Sequence, residues 1–159
     1  MRELMLVLAL AAAALPATAQ TVQKSDGVSD TSSVEADGDK VIQLSTIVPA
    51  PPARVWEALT TPDGWRRLGV QSAAVDFRVG GMIETNYRPN IPAGEPGNIK
   101  NEIVAYVPGR LLAMRNVQAP PGFAHAEEFS KTATVLELAP AEGGTRLTPA
   151  VYQVPLSIG

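Results

Sequence analysis

The chain has 159 residues, 45% of them hydrophobic, and a formal net charge of −3, which suits one globular domain and excludes global disorder. It contains no cysteine and one histidine, so a disulfide framework, a thiolate metal site and a cysteine nucleophile are all excluded. Aromatic residues make up 5% of the chain, too few for a platform that stacks nucleic-acid bases.

Residues 1–19 have the form of a secretory signal peptide. Arg2 begins a short basic region, Leu4 to Leu15 is a continuous apolar run, and Ala17-Thr18-Ala19 offers small residues for cleavage after Ala19. The run is short for a bilayer, so an uncleaved membrane anchor is the less favoured alternative, and we expect no stable membrane span after cleavage. We therefore predict an exported protein, either periplasmic or secreted.

Residues 20–40 are rich in Ser, Asp and Gly and show no apolar periodicity, which predicts a flexible polar linker. The acidic excess of the chain lies in this segment, and residues 41–159 are formally neutral. A neutral body has no basic surface for nucleic acid, so we expect no nucleic-acid partner.

The body, residues 41–159, starts with one strand and two short helices. Val41–Val48 alternates as a strand does, and Pro52, Val55, Trp56 and Leu59 share one face of a helix, which assigns Trp56 to the core. Thr61 can cap a second helix that has Pro62 in its first turn.

Six strands follow, arranged as hairpins. Their turns are Val79-Gly80-Gly81, Pro108-Gly109 and Glu142-Gly143-Gly144. The fold class is therefore α+β, with a curved antiparallel sheet of about seven strands.

Four ordered segments resemble the START-like, or SRPBCC, superfamily, and its branch of homologues of the activator of heat-shock-protein ATPase in particular. They are VPAPPARVWEALTTPDGWRRL, DFRVGG, EIVAYVPGRLLAM and GGTRLT. The resemblance implies a helix-grip fold, in which the sheet wraps around a long C-terminal helix and the cavity between them holds an apolar ligand. The sequence after GGTRLT is PAVYQVPLSIG, which is short and interrupted by prolines. We therefore expect that long helix to be absent or truncated, the concave face to lack its cover, and the uncovered face to promote self-association.

The candidate ligand-binding residues come from the second helix, two strands and the longest loop. Trp65 lies on the second helix, Met82 and Glu84 share one face of a strand, Leu112 and Met114 share one face of another, and Phe123, His125 and Phe129 lie in loop 118–130. The sequence does not decide which strand face lines the cavity.

Chemistry-bearing motifs are scarce. Val79-Gly80-Gly81 is a hairpin turn and matches neither GxGxxG nor GxxxxGK(S/T), the two phosphate-loop patterns. The spacing of acidic residues around His125 does not suit a metal site. The sequence also contains no GxSxG nucleophile elbow and no pair of carboxylates at an identifiable spacing. We therefore expect no cofactor, no metal and no catalytic residue.

The favoured function is an exported domain that binds a small apolar molecule. One alternative is a polyketide-cyclase-like enzyme, in which His125, Glu84 and Arg115 would be the residues to test. The other is a co-chaperone-like interaction module. The predicted export argues against it, because an exported protein would not meet a cytosolic chaperone.

Overall fold

The protein is described by a computed structural model covering residues 23–25 and 27–153, with side chains from residue 27 onward. The predicted signal peptide and the tail 154–159 lie outside these described residues. The elements, in chain order, are β1 (Gln23–Ser25), β2 (Val28–Asp30), β3 (Ser33–Val34), β4 (Lys40–Val48), α1 (Pro52–Thr60), α2 (Pro62–Arg67), β5 (Ser72–Val75), β6 (Met82–Asn86), β7 (Ile99–Val107), β8 (Leu111–Gln118), α3 (Ala126–Ser130), β9 (Thr132–Ala141) and β10 (Gly144–Gln153).

All ten strands form one antiparallel sheet. Its order is β1-β2-β4-β10-β9-β8-β7-β6-β5, and β3 also pairs with β4. The seven strands β4 to β10 are those expected for the body, so the predicted α+β class with a curved sheet of about seven strands is confirmed for that region. The N-terminal strands enlarge the sheet beyond the prediction.

Each of the two helices after β4 begins with a proline, and a threonine caps the second helix. Pro52 occupies the first turn of α1, which buries Val55 and Leu59, and Thr61 Oγ1 accepts a hydrogen bond from the Gly64 N–H at 3.0 Å. This is the predicted cap of α2. No helix among the described residues is long and apolar enough to cross a membrane.

The three predicted hairpins form around their predicted turns. Gly109 adopts φ 71°, the conformation that the second central residue of a type II turn requires. Loop 118–130 contains the short helix α3 and separates β8 from β9.

Part of the predicted linker belongs to the sheet. Ser29 pairs with Ser45 and Ser33 with Val41, so residues 28–34 line the edge of β4. The linker prediction relied on missing apolar periodicity, whereas these short strands are held by backbone hydrogen bonds that polar residues form equally well.

Residues 149–153 complete β10. Pro149 lies opposite Leu136 of β9, so these residues extend the strand and do not begin a helix.

The two faces of the sheet differ in what covers them. We call the face against which α1 packs the inner face and the opposite one the outer face. The core lies between α1 and the inner face and consists of Val55, Leu59, Ile83, Ile103, Leu112, Met114, Leu136 and Leu138.

Candidate functional site

The inner face carries a continuous apolar wall across the three neighbouring strands β7, β8 and β9. Leu112 of β8 lies directly opposite Leu136 of β9, and Ile103 of β7 lies opposite Met114 of β8. Directly opposed residues point to the same side of a sheet, so these four side chains form one surface. Leu112 and Ile103 are fully buried, which makes this wall the floor of the core.

Helices and aromatic rings close one end of this surface. Trp56 packs edge-on against Phe77, with ring centroids 5.8 Å apart, and Phe77 packs against Tyr106 at 4.7 Å. Trp56 therefore contacts the core, as predicted. Trp65 donates its indole N–H to the Leu59 carbonyl at 3.0 Å, and this bond attaches α2 to α1.

The other end of the inner face is less covered. Val151 of β10 lies opposite both Ile42 of β4 and Thr134 of β9, and Ile42 is 55% exposed. We call the inner-face residues beyond the helices the open half; it consists of Ile42, Leu44, Thr134, Pro149 and Val151. None of these residues was among the predicted ligand-binding residues, although the alternation along β4 and β10 would have suggested Ile42 and Val151.

A polar chain of hydrogen bonds borders the open half. Asn116 Nδ2 donates to Thr132 Oγ1 at 2.5 Å, and Thr132 Oγ1 donates to the Phe129 carbonyl at 2.8 Å. This chain connects the buried Asn116 side chain on β8 to the end of α3, which packs against β8. It fixes the base of loop 118–130 beside the inner face.

The aromatic residues of that loop form a small cluster. Phe123 lies edge-on to Phe129, with centroids 5.8 Å apart, and to the His125 ring at 6.4 Å. Phe123 is 45% exposed, whereas Phe129 is half-buried. His125 Nδ1 lies 4.0 Å from Glu128 Oε2, at the surface.

Two of the predicted residues lie on the outer face. Met82 pairs with Glu102, which pairs in turn with Arg115, and Glu84 pairs with Lys100 on the same side. The structure therefore separates the predicted set into four places. Leu112 and Met114 lie on the inner face, Met82 and Glu84 on the outer face, and Phe123, His125 and Phe129 in the loop, with Trp65 at the helical end.

Glu84 holds the loop that connects β6 and β7. Its Oε2 accepts hydrogen bonds from Asn98 Nδ2 at 2.9 Å and from the Gly94 N–H at 2.8 Å, and Lys100 Nζ lies 3.8 Å away. Burial acts to raise the pKa of this carboxyl, but the two hydrogen bonds and the charge of Lys100 outweigh it and hold the pKa below its ordinary value. Glu84 is thus a charged anchor for residues 87–98.

The residues named for an enzyme do not meet. Glu84 and Arg115 lie on the outer face, where Arg115 forms an ion pair with Glu102, and His125 lies in the surface loop. No group of three or more His, Asp or Glu side chains among residues 27–153 could hold a metal ion.

A recess that the sequence did not predict lies beside loop 118–130. It has a volume of about 290 Å³ and is lined by Tyr87, Arg88, Ile99, Pro120 and Pro121, among others. The Pro120-Pro121 dipeptide was the one sequence signal for a rigid wall there.

Comparisons with known proteins agree with this architecture. A sequence model of a family described as polyketide cyclase / dehydrase and lipid transport matches residues 39–155. No curated protein matches the chain.

Three solved structures illustrate the likeness of fold. CalU16 from Micromonospora echinospora is 20% identical, with a TM-score of 0.54 over 81% of this chain and 72% of its own. Aha1 from Colwellia psychrerythraea, solved in solution as a dimer, is 17% identical, with a TM-score of 0.53 over 75% of this chain and 79% of its own. An HSP90 activator from Plasmodium falciparum is 17% identical, with a TM-score of 0.54 over 74% of this chain and 75% of its own.

Proposed function

Because the chain belongs to the polyketide cyclase / dehydrase and lipid transport family, also called SRPBCC, we propose that it binds a small apolar molecule on its inner face. The observation that carries this proposal is the continuity of the apolar wall. It runs from the buried Leu112 and Leu136 under α1 to the open half, where Ile42 and Val151 contact solvent.

The energetics favour an apolar ligand there. Each Å² of apolar surface removed from water contributes about 25 cal/mol, so a ligand that covers the open half is bound mainly by burial. The open half contains no charged side chain, and Thr134 supplies its one hydroxyl group. This composition selects against ions and favours a neutral or weakly polar molecule.

Loop 118–130 is the proposed mouth of this site. The hydrogen bonds from Asn116 through Thr132 hold its end against β8, and Phe123 and Phe129 present aromatic surface nearby. Aromatic side chains on such a loop can contact an apolar ligand as it enters.

Export of the protein is part of the proposal. Its support is the sequence pattern of residues 1–19, with an apolar run followed by Ala17-Thr18-Ala19. A periplasmic or secreted domain of this kind would carry or capture its ligand outside the cytoplasm. Fractionation of the native host, with mass measurement of the mature N-terminus, tests this part separately.

The binding proposal is tested with Nile red, a neutral fluorescent probe of apolar sites. Val151→Lys places a charge in the open half and is expected to reduce probe binding at least about tenfold, since an unpaired charge disfavours an apolar ligand. The matched control is Tyr152→Lys, one residue along β10 and on the outer face, which should leave binding unchanged. Equal binding by both variants and the parent chain would overturn the proposal.

The structure gives less support to the two alternative functions, an enzyme and a co-chaperone-like module. A cyclase-like enzyme built on His125, Glu84 and Arg115 would need groups that face one cavity, and these three do not. A co-chaperone-like role is suggested only by the names of proteins with the same fold, and at such identities a shared fold does not transfer a function.

A further inference from the structure

A cavity of about 450 Å³ lies on the outer face, on the opposite side of the sheet from the proposed apolar site. Its lining residues come from the β7–β8 hairpin and from β9 and β10. They are Val107, Arg110, Leu111, Glu137, Leu138, Ala139, Arg146 and Thr148.

Strand register brings most of this lining together. Val107 lies opposite Leu111, Leu111 opposite Glu137, and Glu137 opposite Thr148. Two residues further along β9, Ala139 lies opposite Arg146 of β10. Since opposed residues share a face, these side chains form one outer-face surface with an apolar part and a polar part.

The hairpin that carries Arg110 is anchored to β9. The Arg110 carbonyl accepts a hydrogen bond from the Leu138 N–H at 2.8 Å, and the Arg110 N–H donates to the Val107 carbonyl at 2.9 Å. The backbone of Arg110 is therefore fixed beside the strand that carries Glu137 and Ala139. A positioned backbone limits the volume that the guanidinium can sample.

The two arginines of this cavity have no partner of opposite charge. Within residues 27–153, neither Arg110 nor Arg146 forms an ion pair or a side-chain hydrogen bond. By contrast, the strand cations Lys100 and Arg115 are paired with Glu84 and Glu102. Two free guanidinium groups and one carboxylate leave the cavity with a net positive charge.

The apolar part of the cavity is also left open to solvent. Val107 is 48% exposed, and Leu111 and Ala139 lie beside it on the same surface. Guanidinium groups bind carboxylate and phosphate oxygens in a bidentate manner, and the aliphatic side chains can cover a small ring or chain. A volume of 450 Å³ falls within the range of small-molecule sites, which is roughly 300–1,000 Å³.

We propose that this outer-face cavity binds a small amphipathic anion, with its carboxylate or phosphate group held by Arg110 and Arg146 and its apolar body on Val107, Leu111 and Ala139. The Thr148 hydroxyl is available for a further hydrogen bond to the anion. Glu137 opposes the anion and weakens its binding. This site is independent of the apolar site on the inner face.

The test uses 2-naphthyl phosphate and 2-naphthoate as probes, measured by titration calorimetry, with 2-naphthol and inorganic phosphate for comparison. Both anionic probes should bind more tightly than 2-naphthol, which lacks the anion, and more tightly than phosphate, which lacks the apolar body. Binding should weaken as salt is added, because exposed charges are screened. Equal affinity for phosphate would indicate an adventitious ion only and would overturn the proposal, as would equal affinity for 2-naphthol.

Three variants assign the binding to this cavity. Arg110→Gln and Arg146→Gln should each weaken 2-naphthyl phosphate at least about tenfold, as the loss of a charged hydrogen bond implies. Glu137→Gln should strengthen binding, because it removes a repulsive charge. Arg54→Gln, on α1, is the matched control and should change nothing. A loss in the control variant equal to that in the cavity variants would overturn the proposal.

Two further measurements separate this site from other sources of binding. Val151→Lys on the inner face should leave 2-naphthyl phosphate binding unchanged, so this result does not depend on the apolar-ligand proposal. Sedimentation with phosphatidic-acid vesicles distinguishes a free anion from a lipid headgroup. We expect no co-sedimentation, and vesicle binding that disappears in Arg110→Gln would overturn the assignment to a free small molecule.

Discussion

Asn98 donates a hydrogen bond from Nδ2 to Glu84 Oε2 at 2.9 Å, although the two residues lie 14 positions apart in the chain. Asn98 is itself buried, and its Nδ2 also donates to the Pro92 carbonyl at 2.9 Å. One buried amide therefore connects the carboxylate on β6 to the backbone of the loop that follows it. This contact is one of the hydrogen bonds that hold residues 87–98 against the sheet.

The Glu84 contact predicts a pH-dependent stability. Since the pKa of Glu84 is lowered in the folded protein, its contribution is present above the ordinary value of 4.5 and is lost as the pH falls through the folded pKa. We expect Glu84→Gln to lower the free energy of unfolding by roughly 1–2 kcal/mol at pH 7, with the difference shrinking below pH 4.5. Urea unfolding at several pH values measures this. Glu95→Gln, an exposed carboxylate on the same loop, should have little effect, and equal losses in both variants would contradict the prediction.

The cap of α2 predicts the effect of a threonine substitution. Thr61 Oγ1 accepts from the Gly64 N–H and donates to the Glu57 carbonyl at 2.8 Å, so it links the end of α1 to the start of α2. We expect Thr61→Ala to lower the free energy of unfolding by about 1 kcal/mol. Thr61→Ser retains the hydroxyl and should recover most of that stability. If Ser and Ala proved equally destabilising, the hydroxyl would not be the stabilising group.

A close approach of the two helices predicts a strong effect at Gly64. A Cβ atom at this position would lie 2.3 Å from the Ala58 carbonyl oxygen, which is backbone and cannot rotate away. We expect Gly64→Ala to separate α1 from α2 and to lower the melting temperature, with a loss of about 3 kcal/mol. Gly97→Ala is the control, since its nearest neighbour is the flexible Arg88 side chain at 3.2 Å. A Gly64→Ala protein as stable as the Gly97→Ala protein would refute this packing argument.

The sequence predicts self-association through the inner face, and exposed residues on the two faces of β4 allow this prediction to be tested. Ile42 of β4 is 55% exposed on the inner face, and Ile47 of the same strand is 41% exposed on the outer face. We expect the purified chain to form oligomers in sedimentation-velocity experiments. Ile42→Lys should shift the population toward monomer, because apolar contact would now bury a charge. Ile47→Lys should not, and a monomeric parent chain would contradict the prediction outright.

The elements of this fold were largely predictable because their signals are local. Proline at the first turn of α1, threonine before α2 and glycine at the turn of residues 108–109 each act within a few residues. Apolar alternation along β8 likewise placed Leu112 and Met114 on one face. These features depend on residues that are close together in the chain, so they can be predicted from the sequence.

The placement of the site needed the tertiary structure. Alternation divides a strand into two faces but does not say which one the helices cover, so Met82 and Glu84 could be grouped with Leu112 and Met114 until the register separated them. The pairing of residues 28–34 with β4 was equally hidden, because backbone hydrogen bonds leave no side-chain pattern. The sequence by itself thus determined the hairpins, the caps and the fold class. Only the tertiary structure decided the faces and the arginine pair of the outer cavity, because these depend on strands distant in the chain.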